Sequence, residues 1–143
     1  MRYHFLDEIV SLTLDGVPRI EVSKRFDPDN DVFRGPAGPR RVPESMLLEL
    51  MAMTAGQLIA RRLEQRLPLL LKVPECRFDG GATAGQRLRA VAELAAATLV
   101  ADGPAVAEAG TVVYAGSHAI ARARLLFACV DATSIGLAGG VSP

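Results

Sequence analysis

The residue of this sequence best suited to chemistry is Glu49. It is the one charged residue of the apolar run Met46–Met53. The residues three, four and seven positions after it are Ala52, Met53 and Gly56, none of which can neutralise a carboxylate on a helix. A carboxylate in such surroundings is desolvated, which raises its pKa towards the range where general acids and bases work. Glu49 is therefore the candidate catalytic group. The alternative is a carboxylate at the rim of the protein, reaching water or an arginine of a neighbouring strand.

The segment before this helix offers a way to polarise a carbonyl group. Gly35 and Gly38 let a ligand approach their backbone N–H groups closely. The start of the following helix adds partial positive charge. A Pro- and Gly-rich surface loop without a ligand is the alternative. Ser45 is either a helix cap or a ligand contact, and Met53 is a further candidate substrate contact.

Arginines and histidines supply the remaining candidates. Arg34, Arg40 and Arg41 could dock an acidic partner, although a solvated face explains them as well. His4 is expected to open a strand and His118 to lie in a turn, so we expect surface roles for both. The sequence has none of the common spacings of metal sites, phosphate-binding loops or serine nucleophiles. We predict no metal and no cofactor.

The composition predicts one globular domain. A chain of 143 residues, half of them hydrophobic, is sufficient for one packed core. Sixteen basic residues balance sixteen acidic ones, which argues against a nucleic-acid binder held by overall charge. Two cysteines without metal-site spacing fit a reducing cytoplasm. The start resembles no signal peptide and no stretch is apolar enough for a membrane helix, so we expect a cytoplasmic protein without membrane or nucleic-acid partners.

The elements that must position Glu49 begin with two strands. Residues 6–14 and 20–26 show the alternation of strands with one buried face. Residues 27–43 are rich in Pro, Gly and Asp and predict a long loop, often a functional feature. Residues 44–66 predict a helix that is apolar on every side except at Glu49 and is therefore buried.

Strands alone are predicted after the helix. They cover residues 69–76, 88–100, 105–114 and 119–130. Pro74 interrupts the first of them, which indicates an edge or bulged strand. Residues 132–143 are expected to form a flexible tail, which leaves 2–131 as one α+β domain. Because one sheet around one helix leaves edge strands and a helix flank open, we expect dimerisation.

Four segments together carry a family resemblance. They are the Arg-Tyr-His-Phe-Leu opening at Arg2–Leu6, the loop Phe33–Pro39, the helix start Pro43–Met53 and the turn Ala84–Leu88. Each resembles a motif of the hotdog-fold 3-hydroxyacyl-ACP dehydratases of the FabZ/FabA type, where ACP is acyl carrier protein. The resemblance covers nearly all of residues 2–131.

This resemblance implies a hotdog fold, in which an antiparallel sheet wraps around one long central helix. It further implies a homodimer or higher homo-oligomer and an acyl thioester carried on ACP or coenzyme A. Glu49 matches the family's helix glutamate, which acts at the β-hydroxyl group of the substrate. Pro36 occupies the position of the histidine that removes the α-proton. Proline carries no base, so the family's two-group mechanism is incomplete in this chain.

Three functions remain open. The main hypothesis is a dehydratase-like protein that acts on or binds acyl thioesters in fatty-acid or polyketide-type metabolism, with Glu49 as its sole catalytic group. The first alternative is an acyl thioesterase in which Glu49 activates water or attacks directly. The second is a non-catalytic acyl-binding subunit, paired with a catalytic homologue that supplies the histidine.

Overall fold

Six strands and one helix make up the part of the chain that the structure describes. The structure is a computed structural model, and it describes residues 6–30, 40–63, 66–98 and 105–131. The elements are β1 (Glu8–Thr13), β2 (Arg19–Arg25), α1 (Glu44–Arg62), β3 (Arg66–Phe78), β4 (Arg87–Thr98), β5 (Ala105–Ala115) and β6 (His118–Asp131). The strands form one antiparallel sheet in the order β1-β2-β4-β5-β6-β3, with α1 packed on one face. The α+β layout predicted from the sequence is confirmed.

The boundary between the helix and β3 differs from the prediction. The helix ends at Arg62, and the N–H of Leu63 donates to the carbonyl of Ile59 at 2.8 Å. The strand that follows already begins at Arg66, which pairs with Asp131 of β6. Pairing with β6 and the extended preference of the residue before a proline both oppose a helix here. The predicted tail 132–143 and residues 31–39 of the predicted loop lie outside the described residues.

The helix has one buried face and one exposed face. Seven of its residues are buried against the sheet: Leu47, Leu50, Met51, Thr54, Ala55, Leu58 and Ile59. Ser45, Glu49 and Met53, on the other side, are exposed. The expectation of a helix buried all round is therefore wrong for a single chain, because one sheet covers only one side of it.

Small side chains on β5 make room for the helix. The residues of β5 alternate strictly between the two faces of the sheet, and all those facing the helix are buried. They are mostly alanines, at positions 105, 107, 109 and 115. Larger side chains, among them Leu50 of α1 and Leu125 of β6, fill the layer between helix and sheet.

The strand β3 forms an edge of the sheet. It pairs with β6 alone among the described residues, and its register shifts between Leu70 and Glu75, around Pro74. The prediction of an edge or bulged strand is confirmed. Three consecutive leucines of this strand are largely exposed: Leu69, Leu70 and Leu71.

The hairpin between β5 and β6 follows the prediction closely. Gly116 has φ of +61° in its turn, a conformation that glycine adopts without the steric cost of a Cβ atom. His118 is exposed at the first position of β6. His4 lies outside the described residues.

Candidate functional site

Three of the predicted site residues form one line on the exposed side of α1. Ser45, Glu49 and Met53 are four positions apart, a spacing that places helical side chains one above another. All three are exposed. Gly35 and Gly38, assigned to the same site, lie outside the described residues, so their roles remain predictions.

Backbone pairing fixes where the helix begins. The N–H of Val42 donates to the carbonyl of Ala82 at 2.7 Å, and the N–H of Ala84 donates to the carbonyl of Arg40 at 2.9 Å. The chain entering α1 is thereby held against the loop between β3 and β4. Pro43 occupies the N-cap position and no side chain caps the helix. The capping role considered for Ser45 is therefore wrong, and its hydroxyl group remains open to solvent.

Glu49 lies at the middle of the exposed face of α1. It makes no hydrogen bond or ion pair with any residue that the structure describes. The alternative of an arginine partner is thus not realised within those residues. The side chains beside it on the helix, at Ala52, Met53 and Gly56, are small or apolar. In a single chain the carboxylate meets water, so the desolvation expected from the sequence requires something that covers this face.

The unpaired edge of β3 runs alongside this face. The pKa of the half-buried Cys76 thiol is raised, first by burial and then by the negative charge of Glu44, which places the helix start beside the end of β3. Near the other end, a Cβ atom built on Gly56 would lie 4.0 Å from Cγ of Pro68. The strand and the helix therefore run side by side in opposite directions. The exposed leucines of β3 therefore lie on the strand that runs beside α1.

The arginines assigned to partner docking lie at the start of the helix. Arg40 and Arg41 are both exposed. Arg41 forms an isolated antiparallel bridge with Thr83. Its guanidinium group also lies so close to Gly81 that any side chain at that position would overlap it. Glycine at this position thus allows the guanidinium group to lie against the backbone. Arg34 falls outside the described residues.

Within the described residues, no group of three His, Cys, Asp or Glu side chains is placed to hold a metal ion. No helix in those residues is both long and apolar enough to cross a membrane.

Comparison with solved structures identifies the fold. No protein-family model and no curated protein matches the sequence. A thioesterase-superfamily protein of Thermus thermophilus matches with a TM-score of 0.67 and 16% identity, over 86% of this chain and 88% of that one. A fluoroacetyl-CoA-specific thioesterase, solved as a variant, matches with a TM-score of 0.62 and 13% identity, over 82% and 88%. The chain has the hotdog fold. A thioesterase of Haemophilus influenzae is a further hotdog match, with a TM-score of 0.61 and 12% identity over 84% and 77% of the chains.

At such low identities these matches show the fold alone. The fold class predicted from the sequence is confirmed. The three proteins named above are a thioesterase-superfamily member and two thioesterases, so the comparison adds nothing to the specific resemblance to FabZ/FabA dehydratases.

Two groups of residues had no functional role in the sequence analysis. One is the run of leucines in β3. The sequence feature that could have identified it is three consecutive apolar residues in a strand predicted to lie at an edge. The other is the pair Arg122 and Arg124, which alternate with apolar residues in the sequence. Alternation showed that they face away from the core, but not what lies beside them on the neighbouring strands.

Proposed function

We propose that this chain is an acyl-thioester hydrolase, active as a homodimer, with Glu49 as its catalytic group. The observation that carries the proposal is the place of Glu49: a carboxylate without a partner among the described residues, at the middle of an exposed helix face, with small or apolar neighbours. Such a face leaves room for an acyl chain beside a base. The fold, shared with solved thioesterases, supports the same function.

The chemistry asked of Glu49 is general-base catalysis. Its carboxylate accepts a proton from water while the water oxygen attacks the thioester carbonyl carbon. The C–S bond of the resulting tetrahedral intermediate then breaks. The proton held by Glu49 passes to the departing thiolate, so the products are a carboxylic acid and a free thiol. The oxyanion needs N–H donors, a role that we assign to Gly35 and Gly38, which precede the helix in the sequence.

A second copy would complete this site. Covering the exposed side of α1 and the edge of β3 would bury Leu69, Leu70 and Leu71 and remove water from around Glu49. Desolvation strengthens a carboxylate as a base. Pairing of the two β3 edges would also satisfy backbone groups that the sheet leaves unpaired.

The substrate class follows from the arginines at the helix start. Arg40 and Arg41 are exposed beside the entrance to α1 and suit the phosphates of coenzyme A or an acidic carrier protein. We infer that the acyl group arrives on one of these carriers. A cytoplasmic location, where thiols stay reduced, fits the two free cysteines.

The test follows thiol release from a series of acyl-CoA and acyl-ACP thioesters. Wild-type protein should hydrolyse at least one of them, and Glu49→Gln should slow that hydrolysis by about 10²–10⁴-fold, the usual contribution of a general base. Glu44→Gln is the matched control, since it removes another exposed carboxylate of the same helix, and should retain the wild-type rate.

Three outcomes would contradict the proposal. Full activity in Glu49→Gln would exclude this residue as the base. Formation of an enoyl thioester from a 3-hydroxyacyl thioester would show a dehydratase with its second catalytic group elsewhere. Acyl-thioester binding without turnover would favour a non-catalytic subunit that works with a homologue.

A further inference from the structure

The sheet face opposite α1 carries a groove that the proposed hydrolysis does not use. The groove has a volume of about 410 Å³ and crosses the middle of β4, β5 and β6. Its floor consists of Val91, Gly110 and Val112, which lie on neighbouring strands and face outward. Since α1 covers the other side of the sheet, this groove is separate from Glu49.

Gly110 creates the depression, and neither packing nor backbone conformation requires a glycine there. It lies in the interior of β5, where glycine weakens a strand. It does not have the positive φ that favours glycine. A Cβ atom at this position would meet nothing within 4 Å. A side chain would fit without clash, and its absence is what opens the groove between Glu93 and Arg124, the residues paired with Gly110 on either side.

Two arginines on one wall of the groove form no ion pair within the described residues. Arg122 and Arg124 are exposed on the same face of β6, and neither makes an ion pair or hydrogen bond with a described residue. Arg77 of β3, which is paired with Asp79 at 3.1 Å, is the direct cross-strand neighbour of Arg122. Like charges directly opposite one another destabilise a sheet. An anion bound between these arginines would relieve that repulsion.

Three acidic residues lie near the groove. Glu75 lines it and is the direct cross-strand neighbour of Arg124 without forming an ion pair with it, and Glu21 and Glu93 pair with other arginines. The carboxylate of Glu21 accepts hydrogen bonds from the guanidinium groups of Arg89 at 3.2 Å and Arg19 at 3.5 Å. A carboxylate oxygen of Glu93 lies 3.7 Å from a guanidinium nitrogen of Arg19. These ion pairs occupy the β2 and β4 side of the groove. The positive charge of Arg122 and Arg124 on the other side is therefore not neutralised by them.

We propose that this groove binds a small, flat organic anion, with its ring on the floor formed by Val91, Gly110 and Val112 and its phosphate or carboxylate on Arg122 and Arg124. The volume lies within the range of small-molecule sites, which is about 300–1,000 Å³. Guanidinium groups bind phosphate and carboxylate oxygens through paired N–H donors. Because the groove is shallow and walled on two sides, it suits a planar ligand better than a branched one.

Isothermal titration calorimetry with α-naphthyl phosphate tests the proposal on the intact protein. The two parts of the probe, α-naphthol and inorganic phosphate, are titrated separately. We expect the whole probe to bind at least about tenfold more tightly than either part, because floor and arginines both contribute. The affinity should fall as salt concentration rises, since the arginines are exposed.

Gly110→Val is the decisive variant. Valine suits a strand and meets no neighbour here, so the unfolding temperature should be unchanged or higher. The same side chain fills the floor, so affinity for α-naphthyl phosphate should fall at least about tenfold. Arg122→Gln removes one anion contact and should weaken binding to a similar degree.

Two variants serve as controls. Arg87→Gln removes an exposed arginine of β4 that lies outside the groove, and it should bind the probe as wild type does. Glu49→Gln should also bind normally, so a failure of this proposal and a failure of the proposed hydrolysis are separately visible. An absence of binding to wild type would overturn the proposal. Binding that survives both Gly110→Val and Arg122→Gln would overturn it as well, because the probe would then sit elsewhere.

Discussion

Replacement of Leu71 by lysine tests whether two copies pair through β3. Leu71 has 63% of its surface exposed in the single chain. Complete burial of a leucine is worth about 1.5–3 kcal/mol, so covering the exposed part of Leu71 is worth about 1–2 kcal/mol in each copy. Both copies contribute, which gives about 2–4 kcal/mol for the dimer. We therefore expect Leu71→Lys to raise the dissociation constant of the dimer about 30–1,000-fold.

Sedimentation velocity over a range of protein concentrations measures this change. The matched control is Val17→Lys, which introduces the same charge at a residue that is 61% exposed but lies in the turn between β1 and β2. It should dimerise as wild type does. Both variants should keep the wild-type circular dichroism, because neither side chain packs in the core. A wild-type monomer at high concentration, or a Leu71→Lys dimer of wild-type affinity, would refute pairing through this edge.

Three further predictions concern the interior. Leu50→Ala should lower the free energy of unfolding by about 2–5 kcal/mol in urea titrations, because Leu50 is fully buried between helix and sheet; a loss below about 1 kcal/mol would contradict that packing. Glu44→Gln should speed iodoacetamide labelling of Cys76 at pH 8, because loss of the negative charge lowers the pKa of the thiol. Mass spectrometry measures the labelling rate. An unchanged or slower rate would contradict the interaction between Glu44 and Cys76. Folding stability should decrease above about pH 9, because burial raises the pKa of Cys76 and Cys129 and the native state then retains protons that the unfolded state releases. This loss of stability should be smaller in Cys129→Ala. A loss of the same size in that variant would exclude the Cys129 thiol as a cause.

The fold was predictable because its signals are local. Alternation with period two marked β1, β2 and β6, and Gly116 marked a hairpin turn. The long apolar helix indicated that a sheet packs against it, and the family resemblance implied that the sheet wraps around it. The order of the strands and the identity of the edge strand depend on pairing between distant residues, and only Pro74 hinted that β3 would lie outermost.

The site was predictable in part. The spacing of Glu49 and Met53 correctly predicted that they are neighbours on the helix, and the structure adds Ser45 to the same line. The sequence left open whether Glu49 is desolvated or reaches water, because a helical sequence shows which residues are apolar but not how much of the helix one sheet can cover. The groove at Gly110 could not be predicted at all. It arises from three strands that meet only through the register of β4, β5 and β6.

The two prolines of β3 have a consequence for how far a sheet can grow. Neither Pro68 nor Pro74 has a backbone N–H group to donate, so the run 69–73 between them is the stretch of this edge best able to accept another strand. Leu71 is its midpoint. An antiparallel pair of identical strands centred there places the prolines of one copy opposite those of the other, and a slip of two residues in either direction brings a proline into the paired run. In the proposed dimer the prolines would thereby select this register, and because the pairing uses the β3 edge of both copies, a third copy could not add to the sheet at β3.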